Sequence, residues 1–147
     1  MTCELPDGQP NVTAYLTVTP GRDAIALYER AFGAEVLMQV PSDDGTGRIM
    51  HATLRVFGGM VMLSDDFPEF GGDVKSPSAL GGTAVTMHVG FNTPAEVDSA
   101  FDRAAEAGCT VTMPAEDAFW GMRYGRLLDP FGHSWAFGAP LPAANQG

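Results

Sequence analysis

The chain has 147 residues, of which 45% are hydrophobic and 18% charged, so it can bury a core and is not composed like a disordered protein. Lys and Arg number 8 against 18 Asp and Glu, a formal charge of −10, which makes nucleic acid and anionic membrane poor partners. No apolar run approaches the ~18 residues of a transmembrane helix, MTCELPDGQP lacks a signal-peptide layout, and two cysteines, Cys3 and Cys109, make neither a disulfide framework nor a zinc quartet; a cytoplasmic protein is expected.

In chain order, residues 1–9 read as a tail. Asn11 to Val18 alternates, with Val12, Ala14, Leu16 and Val18 against Thr13, Tyr15 and Thr17, the pattern of a half-buried strand. Thr19-Pro20-Gly21 is a turn, and Asp23 to Phe32 has helical spacing with Gly33 as its C-cap. Strands follow at Glu35 to Val40, Arg48 to Val56 and Gly59 to Ser64, with a polar turn at Ser42 to Gly47 and a tight one at Phe57-Gly58. The first module, 10–64, is therefore β-α-β-β-β. Residues 65–82, rich in Asp, Gly, Pro and Ser, read as a linker that Phe67 and Phe70 tack onto the body.

The second module, 83–138, repeats the pattern before a tail at 139–147. Thr83 to Phe91 alternates, with Thr86, His88 and Gly90 on one face. Thr93-Pro94-Ala95-Glu96 predicts a capped helix start, the helix running to Ala107 and ending at Gly108. Cys109 to Met113, Tyr124 to Leu128 and His133 to Phe137 read as strands. Phe57-Gly58 aligns with Phe131-Gly132 at an offset of 74, and Tyr15 with His88 at an offset of 73, a drift that one inserted residue inside the helix would explain.

The stretch DAIALYERAFG (Asp23 to Gly33) resembles the first-helix signature of the vicinal oxygen chelate superfamily, which includes glyoxalase I, bleomycin-resistance proteins and extradiol dioxygenases. RLLDPFGH (Arg126 to His133) resembles its last-hairpin signature, and Ala118 to Phe137 is similar to the FWGxRYGxxxDPFGHxW run of the PhnB-like branch. The resemblance implies an α+β fold of paired βαβββ modules, whose curved, mostly antiparallel mixed sheets form an open cup, commonly in a homodimer. In metal-using members four ligands come from the first and last strands of each half. Those positions fall here at Tyr15, Met62, His88 and Ala136. Hard and borderline cations take imidazole and carboxylate, whereas Met is soft and Ala has no donor. No metal, no cofactor and no catalytic residue is therefore expected.

Alternation predicts a cup lining of Tyr15, Thr17, Met60, Met62, Thr86, His88, Ser134 and Ala136, with Phe119, Trp120 and Tyr124 from a rim loop spanning Asp117 to Tyr124. Such an aromatic, Met-rich set suits a small aromatic or amphipathic ligand such as an antibiotic, with His88 as the polar anchor; filling a collapsed core is the other reading of the same residues. His51 and His133 read as hydrogen-bonded structural histidines. The acids Asp65, Asp66, Glu69 and Asp73 either line a groove for a cationic ligand or form a solvated loop. No nucleophile motif stands out, and both thiols read as inert. The expected function is metal-free small-molecule binding. The alternative is a metal-dependent lyase, isomerase or dioxygenase, which needs His51, His88 or His133 to converge with carboxylates such as Asp129.

Overall fold

A computed structural model describes residues 12–142; Cys3, the expected first tail and most of the second lie outside them. The chain divides into two units, Met1–Gly81 and Gly82–Gly147, so residues 65–81 belong with the first. In it, β1 (Ala14–Thr17), α1 (Gly21–Phe32), β2 (Glu35–Pro41), β3 (Ile49–Val56) and β4 (Gly59–Ser64) form a sheet in the order β1-β4-β3-β2, followed by a 3-10 turn at Pro68–Phe70 and the short α2 (Pro77–Leu80). The second unit holds β5 (Thr86–Gly90), α3 (Pro94–Glu106), β6 (Thr110–Asp117), β7 (Met122–Leu128) and β8 (Ser134–Pro140) in the order β5-β8-β7-β6. In each sheet the first strand runs parallel to the last and the other pairs are antiparallel. Each unit is thus an open mixed sheet with a principal helix, the α+β architecture that the family resemblance implies. Among the described residues no helix is long and apolar enough to cross a membrane.

Strand alternation sorts the side chains. In the first unit Leu16, Val18, Ala52, Leu54, Val61 and Leu63 are buried with Ala24, Ile25, Tyr28, Ala31 and Phe32 of α1. Each large side chain so buried contributes roughly 1.5–3 kcal/mol against exposure. In the second, Val89, Leu127, Trp135 and Phe137 are buried with Val97, Phe101 and Ala104 of α3, and the Phe101 ring meets Phe137 edge-on at 6.4 Å. Gly125 is required here, because a Cβ would lie 2.6 Å from the Phe101 ring and 2.9 Å from Ala115 Cα.

The two helices start by different means. Thr93 caps α3 as predicted, its Oγ1 accepting from the Glu96 N–H. α1 has no local side-chain cap and begins two residues before the predicted Asp23. Its Gly21 N–H donates instead to Asp65, 44 residues away, at 3.0 Å. Asp65 also accepts from the Ile49 N–H at 2.6 Å and from the Thr19 hydroxyl at 3.2 Å. It is buried, 3% exposed, so the prediction of a solvated acid fails for it.

Several boundaries move for physical reasons. β1 is shorter than Asn11 to Val18, and Asn11 lies outside the described residues. β6 continues past Met113 to Asp117, through Pro114, because an edge strand tolerates a missing donor and a bulge between Met113 and Glu116 absorbs the irregularity. β7 then begins at Met122, so the expected rim loop is a hairpin, closed by the Ala118 N–H donating to Met122 O at 2.7 Å. Gly21 and Pro94 start their helices at an offset of 73, and α3 is one residue longer than α1, as the expected insertion requires. By strand pairing, however, β2 and β6 correspond at an offset of 75 and β3 and β7 return to 73, so the residue that moves the last strands to 74 enters in the closing hairpin. Phe57 and Gly58 make a two-residue turn with φ of 51° and 79°, whereas the second hairpin holds one residue more. That hairpin is built on buried Asp129, which accepts from the N–H groups of Phe131 and His133 at 2.9 and 3.0 Å and from the Trp135 indole at 2.9 Å.

Candidate functional site

The face of each sheet away from its helix carries the chemistry. In the first unit Tyr15 of β1 pairs with Met62 of β4, which pairs with Thr53 of β3. His51 lies two residues along β3 on the same side. The Tyr15 hydroxyl is hydrogen-bonded to His51 Nδ1 at 2.9 Å, and His51 Nε2 to Thr53 Oγ1 at 2.8 Å. His51 is thus the hydrogen-bonded histidine the sequence suggests, and its partner is the predicted ligand contact Tyr15. Met60, at the pair with Arg55, lies on the same face and is half-buried.

Beside this face is a cavity of about 940 Å³, lined by Tyr15, Thr17 and Ser64 of the sheet and by Phe67, Phe70 and Val74 of the segment after β4, with Lys75 among the lining. That segment is held, not merely tacked on. The Arg48 guanidinium sits 4.2 Å from the Phe67 ring centroid, donates to Asp66 O at 3.1 Å and pairs with Glu69 and Asp44. These contacts hold Glu69 below the usual carboxylate range; Asp44 is held lower first by the Thr46 hydroxyl and then by Arg48. Asp66 accepts from the Ser76 N–H at 2.8 Å. Phe67 stacks on Phe70 at 5.7 Å, and Phe70 remains 74% exposed. Of the four acids offered as a cation groove, Asp65, Asp66 and Glu69 are thus engaged within the protein, and Asp73 is exposed.

In the second unit His88 of β5 pairs with Ala136 of β8, which pairs with Arg126 of β7. Tyr124 lies two residues before Arg126 on the same side, on the strand and not in a loop. His88 and Tyr124 stack at 6.1 Å, and Trp120 meets Tyr124 edge-on at 5.2 Å. Gly138 gives this cluster its room, since a Cβ there would lie 3.0 Å from His88 Cε1. Arg126 Nη2 donates to Thr86 Oγ1 at 2.8 Å, and Thr86 donates to Ser134 Oγ at 3.0 Å. Phe119, fully exposed in the hairpin turn, joins no cluster.

The structure therefore groups Tyr15, Met60 and Met62 on one face and His88, Trp120, Tyr124 and Ser134 on the other. Sequence reasoning missed His51, Thr53 and Arg126 as members of those faces. The signal was the period of two on β3 and β7, which places them in phase with Tyr15 and His88.

The strand positions expected to ligate a cation offer few donors for one. The register confirms Tyr15–Met62 and His88–Ala136 as the paired positions, and each pair lacks a carboxylate. Among the described residues no three His, Cys, Asp or Glu side chains converge as a metal would need. Asp129, named as an example of the carboxylates the catalytic alternative would use, is engaged by three N–H donors. Cys109 is buried, and desolvation, then the Asp129 charge, pushes its thiol up to about 12, so Cys109 offers no thiolate nucleophile near neutral pH.

A model of the glyoxalase/bleomycin resistance protein/dioxygenase superfamily matches residues 11–137. Protein Mb0911c of Mycobacterium bovis is 44% identical over 138 residues, covering 93% of this chain and 88% of that protein. Among solved structures, TioX from a Micromonospora species superposes with a TM-score of 0.63 at 28% identity, covering 90% of this chain and 97% of its own. A PhnB protein from Bacillus cereus gives a TM-score of 0.67 at 22% identity, covering 90% and 100%, which speaks to the fold.

Proposed function

The chain belongs to the glyoxalase/bleomycin resistance protein/dioxygenase superfamily, and from that premise we propose that it is a cytoplasmic, metal-free binding protein for a small aromatic or amphipathic molecule, sequestering a compound of the kind found among antibiotics. The observation that carries this reading is the cavity of about 940 Å³ in the first unit, with Tyr15, Phe67 and Phe70 on its wall. Concave, largely apolar sites of this size with a few polar groups are the usual form of a ligand site. A phenol and two phenyl rings offer flat stacking area. Tyr15 and Phe70, 48% and 74% exposed, are placed where a ligand would cover them.

Catalysis through a cation is the weaker reading for this chain, because its strand positions hold phenol, thioether, imidazole and methyl groups. A homodimer belongs to the proposal too: edge strand β2 leaves Leu37, Met38 and Val40 exposed, an apolar strip that a second copy would bury, and light scattering would read the mass.

The neutral dye N-phenyl-1-naphthylamine tests the binding reading on the full chain. Saturable fluorescence enhancement at one site per chain is expected, weakened at least about 10-fold in Tyr15→Ala and in Phe70→Ala. Absence of saturable binding, or indifference to both substitutions, would refute it.

A further inference from the structure

We infer that the open face of the second unit's sheet carries a subsite for an anionic group, a carboxylate or a phosphoryl group, with Arg126 as its cation. The inference extends the binding reading by naming the charge that this face selects.

Three observations converge. First, among the described residues no carboxylate lies within ion-pairing distance of Arg126, although the chain has 18 acidic residues against 8 basic ones, and Arg48, Arg55 and Arg123 each pair with a carboxylate. Second, its Nε–H is buried and has no acceptor, and its one hydrogen bond goes to the neutral Thr86 hydroxyl. A buried guanidinium donor without an acceptor is unfavourable, and an arriving anion would satisfy it with a charge-assisted bond.

Third, the neighbours are arranged as donors. Arg126 and His88 occupy the strands on either side of Ala136, whose small side chain is itself buried. Neighbouring strands lie about 4.8 Å apart, so a group of one or two oxygens bound between the Arg126 and His88 side chains would be within reach of both. Thr86 accepts from Arg126 and donates to Ser134, so the Ser134 hydroxyl proton is not used toward Thr86 and can donate elsewhere. Tyr124 and Trp120 adjoin as a ring surface for the remainder of the ligand. The first unit has no such charge: its corresponding positions are Tyr15, Met62 and Thr53. An acidic protein surface suggests cationic ligands, yet the local chemistry of this face selects the opposite sign.

The full chain would be titrated with benzoate, phenylphosphate and the neutral benzamide, following Trp120 fluorescence and the Arg126 Nε–H resonance in a nitrogen–proton correlation spectrum. At least one of the two anions should bind about 10-fold or more tightly than benzamide. Arg126→Gln should abolish that preference while binding of N-phenyl-1-naphthylamine in the first unit persists. Retained dye binding with no preference for either anion in the native chain overturns this inference and leaves the binding reading standing. Loss of dye binding with the anion preference intact does the reverse. An anion preference that survives Arg126→Gln also overturns it. Should that variant not fold, the native resonance decides: a downfield shift on saturation with benzoate or phenylphosphate supports the subsite, and an unmoved resonance sinks it.

Discussion

The two units place the same two ring types on opposite strands. In the first, a phenol on β1 faces an imidazole on β3 (Tyr15 and His51); in the second, an imidazole on β5 faces a phenol on β7 (His88 and Tyr124). The first pair is hydrogen-bonded at 2.9 Å, whereas the second is stacked at 6.1 Å with Trp120 against it. Between the rings the floor changes from Met62 to Ala136, and the next residue from Thr53 to Arg126. The helix-facing side behaves otherwise. Leu16 and Val89, Leu54 and Leu127, Leu63 and Phe137, Tyr28 and Phe101, and Ala31 and Ala104 correspond and are all buried. Close packing constrains that side to apolar residues of fitting volume. The open side carries no such constraint, and there the modules have acquired different chemistry.

The polar fasteners differ as well, and breaking them gives the largest expected effects. Asp65 ties the start of α1 to β3, while Asp129 closes the last hairpin of the second unit; the residues at the corresponding positions are Ala139 and Val56. Asp65→Ala and Asp129→Ala should each lose about 3–4 kcal/mol in denaturant unfolding, because each strands several buried donors. Hydrogen exchange should locate the loosening in the first unit for one and the second for the other. Uniform loosening by both would show that the units do not behave separately. Next comes the local cap. Thr93→Ala removes one short-range acceptor from α3 and should cost about 1 kcal/mol, a fraction of the loss at Asp65. Equal losses would contradict the assignment of Asp65 as the long-range cap of α1.

The ring pairs give a smaller contrast. Tyr15→Phe deletes the bond to His51 in a half-exposed setting and should cost about 0.5 kcal/mol, whereas Tyr124→Phe keeps the stack and should stay near zero. A larger loss at Tyr124 would mean that its hydroxyl carries an interaction the stack does not express. The smallest effect is acid release of the segment after β4. Arg48 lowers Glu69 below its ordinary 4.5, so its contribution is complete above that pH and fades as pH falls through the lower folded value. Protection of amides 66–75, corrected for the intrinsic exchange rate at each pH, should fall as pH drops below about 4.5, with no parallel change in the second unit; this exposed ion pair is weak, so the change is modest.

Much of this frame was legible in the sequence, because period-two strands, the Gly33 cap and the Thr93-Pro94-Ala95-Glu96 start are local signals. What escaped was non-local. The start of α1 depends on a carboxylate 44 residues away, the end of β6 on its being an edge strand, and the segment at 65–81 on Arg48 gripping Phe67 and Glu69. The correspondence of Tyr15 with His88 and of Met62 with Ala136 was readable from the repeat, and the family resemblance singled these four positions out. The importance of Arg126 was not, because an arginine in a sequence does not show whether a carboxylate will meet it.

The central claim is that this chain binds small molecules without a cation, and titration of chelator-stripped protein with N-phenyl-1-naphthylamine, before and after adding zinc or manganese, tests it most directly. The account predicts the same affinity and one site per chain in both conditions. Binding that emerges only once the divalent ion is restored would contradict it.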